Sequence, residues 1–266
     1  MARADAPPCG PAMRKAYVDT PHGQLHLRDT GGGGPVLLLL HMTPLSGAMF
    51  AHLGPAFPGV RLLCPDLLGY GRSDPRPAAW SLGQWADGLA ALLDGLGLPT
   101  AAVYGAHLGA AVALELAVRH PGRVRRLVLD GLPFPTPQLK AALAAMGGAP
   151  PPGGLAEVVA RVERLLEEFG GLDPFAACRD YLETGFVSSA AVLQDYAPED
   201  RLRAVTVPLL VVGADGDSQW PSFAATLAVR PDAARHAWPG PHPVHDPARA
   251  AAFAGPLRAF LAEPPP

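Results

Sequence analysis

Short, continuous apolar runs alternate along the chain with stretches whose apolar residues recur at helical spacing. The clearest run is Pro35-Val36-Leu37-Leu38-Leu39-Leu40-His41. A brief, unbroken apolar segment of this kind reads as a strand buried on both faces of a parallel sheet. Val60–Pro65, Thr100–Tyr104, Val124–Asp130 and Val207–Gly213 repeat the pattern, and Ala233–Trp238 is a candidate last strand. Ahead of them, Ala16–Thr20 and Gln24–Asp29 alternate in polarity around Pro21-His22-Gly23, which predicts a hairpin.

Between the runs, Leu45–Phe57 predicts a helix, and Ser81–Leu96 a second, with Leu82, Trp85, Leu89, Leu92, Leu93 and Leu96 on one face and Ser81 as its N-cap. A tight turn at Gly105–Gly109 leads into a helix at Ala110–His120, and Pro247–Leu261 predicts a closing helix. Strand and helix alternating through short connections call for a parallel sheet covered on both faces. From Phe134 to about Val205 the alternation stops. There Gly154–Phe169 carries Val158, Val159, Val162, Leu165, Leu166 and Phe169 on one helical face and Glu157, Glu163, Arg164, Glu167 and Glu168 on its wet side. Asp173–Tyr196 supplies further short helices. The expected organisation is an N-terminal tail at 1–14, a core at 15–133 and 206–266, and a helical cap inserted at 134–205.

Composition narrows the classes of function. The 266 residues, about half of them hydrophobic, suffice for one sizeable core. A net charge of -3 leaves no basic footprint for nucleic acid and no polybasic membrane patch. Cys9, Cys64 and Cys178 are scattered and read as reduced thiols. The start, MARADAPPCGPAMRK, lacks the apolar stretch of a secretory signal, and Val36–Leu40 is too short to span a bilayer. A cytoplasmic protein with a small-molecule partner, and without nucleic acid or membrane partners, is expected.

In an open parallel sheet, ligands bind beyond the carboxyl ends of the strands. The residues there are His41-Met42-Thr43-Pro44, Asp66 to Asp74, Gly105-Ala106-His107-Leu108-Gly109, Asp130-Gly131, Asp215-Gly216-Asp217 and Pro241-His242. Together they resemble the α/β-hydrolase family from about Lys15 to Pro133 and again from about Pro208 to Leu261. His41-Met42-Thr43-Pro44 is similar to that family's His-Gly-x-Pro segment. Pro65-Asp66-Leu67-Leu68-Gly69-Tyr70-Gly71-Arg72-Ser73-Asp74 resembles its Asp-x-x-Gly-x-Gly-x-Ser loop. Tyr104-Gly105-Ala106-His107-Leu108-Gly109 has the form of its nucleophile elbow. Val211-Val212-Gly213, Asp217, Pro221 and His242 follow in the order of its acid and histidine.

The resemblance implies an α/β-hydrolase fold: a mostly parallel eight-stranded sheet, helices on both faces and a small helical cap. It also implies Asp217 as the acid, with Asp215 and Asp130 as alternatives, and His242 as the base, with His245 and His236 behind it. The backbone N–H groups of Thr43 and Leu108 would form the oxyanion hole. Asp66, Arg72, Ser73 and Asp74 read as a loop that shapes the sheet edge. His41, Met42, Phe134 and Trp220, with Leu108, are candidate walls of a mainly apolar substrate pocket.

Two positions depart from the family pattern. Met42 stands where glycine is usual, and His107 stands where the family carries its serine, so ordinary serine chemistry is excluded. Imidazole at the elbow leaves several routes open. His107 could attack as nucleophile on a small apolar ester, lactone, thioester or β-diketone. It could transfer protons beside His242 in lyase, decarboxylase or cofactor-free oxygenase chemistry. His41, His107, His242 and an aspartate are an adequate ligand set for zinc or iron, but their spacing is not diagnostic, and no metal or cofactor is expected. The remaining alternative is a binding protein that kept the fold without turnover.

Overall fold

The chain enters the fold through an antiparallel hairpin, β1 (Arg14–Thr20) and β2 (Gly23–Asp29), joined by a turn at Pro21-His22. The structure, a computed structural model, describes residues 13–263 apart from 78–79, 148–152, 170–171, 173 and 184–189. Of the expected N-terminal tail, residues 1–12, Cys9 among them, lie outside the described residues.

Next come β3 (Val36–Leu40), β4 (Arg61–Pro65), helix α1 (Leu82–Gly95), β5 (Ala101–Ala106), α2 (Leu108–Arg119) and β6 (Val124–Asp130). Helices α3 (Pro137–Gly147), α4 (Leu155–Phe169), α5 (Pro174–Glu183), α6 (Ala190–Gln194) and α7 (Glu199–Ala204) come after β6 without an intervening strand among the described residues. The chain closes with β7 (Leu209–Ala214), α8 (Trp220–Val229), β8 (Ala234–Trp238) and α9 (Ala250–Ala262).

The eight strands form one sheet in the order β1-β2-β4-β3-β5-β6-β7-β8. Only β1 with β2 and β2 with β4 pair antiparallel; β3 to β8 are parallel throughout. The apolar run of β3 shows why. Leu38 and Leu40 pack into a core with α1 and α2, while Leu37 and Leu39 pack into a second core with Phe253, Leu257 and Phe260 of α9. A strand with a helix layer on each face has no wet side to mark with polar residues.

Ser81 caps α1 as expected, and Gln84 completes a reciprocal capping box with it. One expected helix is not formed. Leu45–Phe57 folds as two short 3-10 turns, Gly47–Phe50 and Gly54–Ala56. Pro55 lacks the N–H that a continuing helix would use, and Gly54 before it adds backbone freedom. None of the helices among the described residues is long and apolar enough to cross a membrane.

Candidate active site

His107 is placed by a sharp strand-to-helix turn. Strand β5 ends at Ala106 and α2 begins at Leu108, so a single residue makes the reversal, at φ 50° and ψ −110°. Among the described residues it is the only non-glycine at positive φ. Such a conformation costs about 1–3 kcal/mol and persists only where the surroundings over-determine it. Here the His107 N–H donates to the Asp130 carbonyl at 2.9 Å, and Ala110 and Ala111 donate back to the His107 carbonyl. Small neighbours are obligatory: a Cβ on Gly105 would lie 2.1 Å from the Gly109 carbonyl oxygen, and one on Gly109 2.3 Å from that of Leu40.

The ring turns toward the ends of β6 and β7. Its Nε2 lies 3.1 Å from Oδ1 and 3.2 Å from Oδ2 of Asp217, with the imidazole side chain 14% and the carboxylate 6% exposed. Burial alone would raise the Asp217 carboxyl. The charge and hydrogen bond of His107, the Gln219 N–H donated to Oδ1 at 2.7 Å, and His242 outweigh it and hold that carboxyl far below the usual carboxylate range. An ionised Asp217 keeps a proton on Nε2 of His107 and puts the ring's basic lone pair on Nδ1. Gly131 makes the room for this pose. It sits at φ 58°, and a Cβ there would come within 2.6 Å of His107 Cδ2 and 3.0 Å of Nε2.

A second histidine–aspartate contact lies beside the first. His242 Nε2 is 2.7 Å from Oδ2 of Asp130, although its N–H is not in line for a hydrogen bond. The same Oδ2 accepts a very short hydrogen bond from the Tyr104 hydroxyl. Burial, then the Asp130 charge, push the Tyr104 phenol well above its ordinary range, so it stays a donor. On the other edge of the ring, His242 Nδ1 accepts the Val244 N–H at 3.1 Å. His242 is buried, and both ring nitrogens are turned to protein groups.

The expected pairing of Asp217 with His242 is therefore replaced. The elbow imidazole, much longer than a serine hydroxymethyl, reaches Asp217 itself, and His242 faces the carboxylate at the end of β6. Asp215 ties its own loop instead, its Oδ1 accepting the Gly240 N–H at 2.6 Å. His236 lies on β8, against Trp238. His245 is buried next to His242, with ring centroids 5.8 Å apart.

Of the expected pocket walls, His41 turns inward. His41 is 0% exposed, its Nδ1 donating to the Met42 carbonyl and its Nε2 accepting the Leu67 N–H, both at 3.0 Å. It clamps two loops. Its pKa is pushed down by burial, in keeping with a neutral ring. Met42 and Leu108 are buried in the two cores, Phe134 packs with the core that holds α2, and Trp220 stacks on Phe223 at 4.9 Å. Among the described residues no group of potential metal ligands gathers in one place.

Thr43 lies just beyond β3, and Leu108 is the first residue of α2, whose N–H has no acceptor within the helix. The loop from Asp66 to Asp74 is a hydrogen-bonded brace. Asp66 accepts from His26 Nδ1, Gly47 N–H and Arg72 N–H, and Ser73 Oγ donates to the Asp66 carbonyl. Tyr104 and Gly131 stood in the strand-end segments read from the sequence but were given no role there. Their signals were adjacency to the elbow for Tyr104 and a glycine directly after a strand end for Gly131.

Comparison with known proteins agrees with this topology. Residues 35–223 match the family described as alpha/beta hydrolase fold. A 2-hydroxy-6-oxononadienedioate/2-hydroxy-6-oxononatrienedioate hydrolase of Dechloromonas aromatica is 30% identical over 219 residues, which is 73% of this chain and 74% of that protein. A 2-hydroxymuconate semialdehyde hydrolase of Pseudomonas putida is 35% identical over 147 residues, and the match spans only half of its length. The solved structure of E-2-(acetamidomethylene)succinate hydrolase superposes with a TM-score of 0.77 at 22% identity, covering 94% of this chain and 100% of that one. By fold and by sequence, the chain belongs to the α/β-hydrolase family.

Proposed function

We propose that this protein is a hydrolase of a small, mainly apolar carbonyl compound, an ester, lactone, thioester or β-diketone, in which His107 is the general base and Asp217 orients it. The observation that carries the reading is the His107–Asp217 contact at 3.1 Å, a base and its orienting carboxylate assembled on the turn that faces the substrate side of the sheet. The relatives named as hydrolases of 2-hydroxymuconate semialdehyde and of 2-hydroxy-6-oxononadienedioate support a carbonyl-directed reaction.

In the proposed step, Nδ1 of His107 takes a proton from water as the water oxygen bonds to the carbonyl carbon. The charge that develops on the carbonyl oxygen is met by the N–H groups of Thr43 and Leu108. When the tetrahedral adduct collapses, the bond to the leaving group breaks and the proton held on His107 passes to it, restoring the neutral ring. No serine is needed, because water replaces the enzyme's hydroxyl as nucleophile. His242, Asp130 and Tyr104 form a closed cluster that holds the end of β6 and the loop after β8. The helices at 134–205 act as the cap over the site, and the protein works in the cytoplasm.

The test is turnover of aryl esters of short acids by the wild type and by His107→Ala and His107→Gln. Loss of a general base predicts a fall of roughly 10²–10⁴-fold in kcat, without a burst and without a mass adduct in the wild type. Full turnover by His107→Ala would sink the assignment, and an acyl adduct on His107 would make it a nucleophile instead.

A further inference from the structure

A cavity of about 330 Å³ opens between α5 and the loops after β3 and β8. Its body is apolar, with Leu45, Met49 and Ala177 among the lining groups, and its polar groups are dominated by donors: Arg28, Arg179, His52 and His245. Arg28 is the informative one. It is 8% exposed, and its Nη1 is buried without a hydrogen-bond acceptor. Its nearest counter-charge, Asp66 Oδ1, stands off at 3.6 Å. Asp66 has already given its oxygens to the N–H groups of Gly47 and Arg72 and to His26.

The carboxylate that lines the cavity, Asp180, is similarly engaged. Asp180 Oδ2 accepts from Ser46 N–H at 3.0 Å and Ser46 Oγ at 2.6 Å, and its Oδ1 faces Arg179 at 3.3 Å. Nε2 of His52 is likewise buried without a partner. Buried donors are almost always satisfied, and a buried guanidinium N–H left without an acceptor is costly. Arg28 lines the cavity with a charge that Asp66 meets only at 3.6 Å, and a carboxylate matches the guanidinium fork in charge and geometry.

We propose that this cavity is a binding subsite for a small carboxylate with an apolar body, anchored by Arg28. His245 links it to the His242 cluster, since it lines the cavity and its ring centroid lies 5.8 Å from that of His242. If the proposed hydrolysis is correct, the carboxylate belongs to the substrate, but binding does not depend on that reading.

The probe is benzoate, with uncharged benzamide as its isostere, titrated by calorimetry against the wild type and the His107→Ala protein. Saturable binding of benzoate to both, at least about tenfold tighter than benzamide, is expected. Arg28→Met should weaken benzoate by at least about tenfold. Because Arg28 also faces Asp66, a second variant guards against misfolding. Ala48→Phe fills the cavity from its wall while leaving every charge in place, and it should abolish binding with the melting temperature kept. Equal affinity for benzamide and benzoate, or undiminished benzoate affinity in a folded Arg28→Met or Ala48→Phe protein, overturns the proposal. Binding lost in His107→Ala alone would place benzoate at the elbow and overturn it too.

Discussion

Nε2 of His107 sits almost equidistant from the two carboxylate oxygens of Asp217, at 3.1 and 3.2 Å, while the other nearby carboxylate, Asp130, is turned to His242. The two aspartates therefore serve different imidazoles, and their removal should have different effects. Asp217→Asn keeps the shape but loses the charge that fixes the His107 tautomer. A fall in kcat on the order of 10³–10⁴-fold is expected, the scale on which a catalytic triad suffers from that change. Asp130→Asn touches no reacting atom and should cost no more than about tenfold, through positioning. Steady-state kinetics on one aryl ester checks both. The reverse order of effects would return the acid role to Asp130 and the base role to His242.

The sheet was readable from the chain because each strand is a dry apolar run closed by turn residues, and Leu37–Leu40 alone required helices on both faces. The strand ends could be read too, since ligand-facing residues come directly after them. Which carboxylate meets which ring could not. Asp130, Asp217, His107 and His242 come at or after the ends of four different strands, and their pairing depends on side-chain reach. An imidazole at the elbow extends into the space that a hydroxymethyl would leave for His242, a steric consequence that order along the chain does not encode. His41 departs from expectation for a related reason. Its place beside Met42 and Thr43 suggests a pocket wall, while its ring is drawn inward by the Met42 carbonyl and the Leu67 N–H.

Gly131 offers a test of ring placement that leaves both members of the dyad intact. Asparagine tolerates the positive φ that Gly131 adopts, so Gly131→Asn isolates the effect of the added Cβ from backbone strain. That Cβ would press on His107 Cδ2 and Nε2 and on Gln219. The ring must tilt away from Asp217, and a displacement near 1 Å predicts a loss of about 10²-fold in kcat. Imidazole ¹⁵N shifts should report a changed Nε2 environment. Unchanged shifts with full activity would mean that the ring is not housed by Gly131.

His245 predicts a slope of stability with pH. Burial, reinforced by His242 and His107, pushes its pKa down to about 3. Unfolded, it titrates near about 6.5. Between these values the unfolded chain binds a proton that the folded protein refuses. The contribution is thus complete above about pH 6.5 and is lost progressively as pH falls toward about 3. His41 and His52, also pushed down by burial, act in the same direction. In His245→Gln the decline of melting temperature between about pH 7 and pH 5 should be shallower than in the wild type. Parallel declines would show that the ring is protonated in the fold.

Asp180 joins α5 to the turn after β3 through one side chain, accepting both the N–H and the hydroxyl of Ser46 in a buried setting. Asp180→Ala removes the acceptor and leaves two donors dry, which costs about 1–3 kcal/mol. Asp180→Asn keeps one carbonyl oxygen and should cost less, though it also gives up the charge facing Arg179. Urea denaturation separates the outcomes: a lower midpoint with an unchanged slope means lost stability, while a lower slope means that α5 has come away before the core unfolds. The second result would make the contact a latch, because the helix that closes the Arg28 cavity could then open on its own. An Asp180→Ala protein as stable as the wild type, with the same slope, would show that Ser46 finds other acceptors and that α5 is held by its apolar face through Ala177.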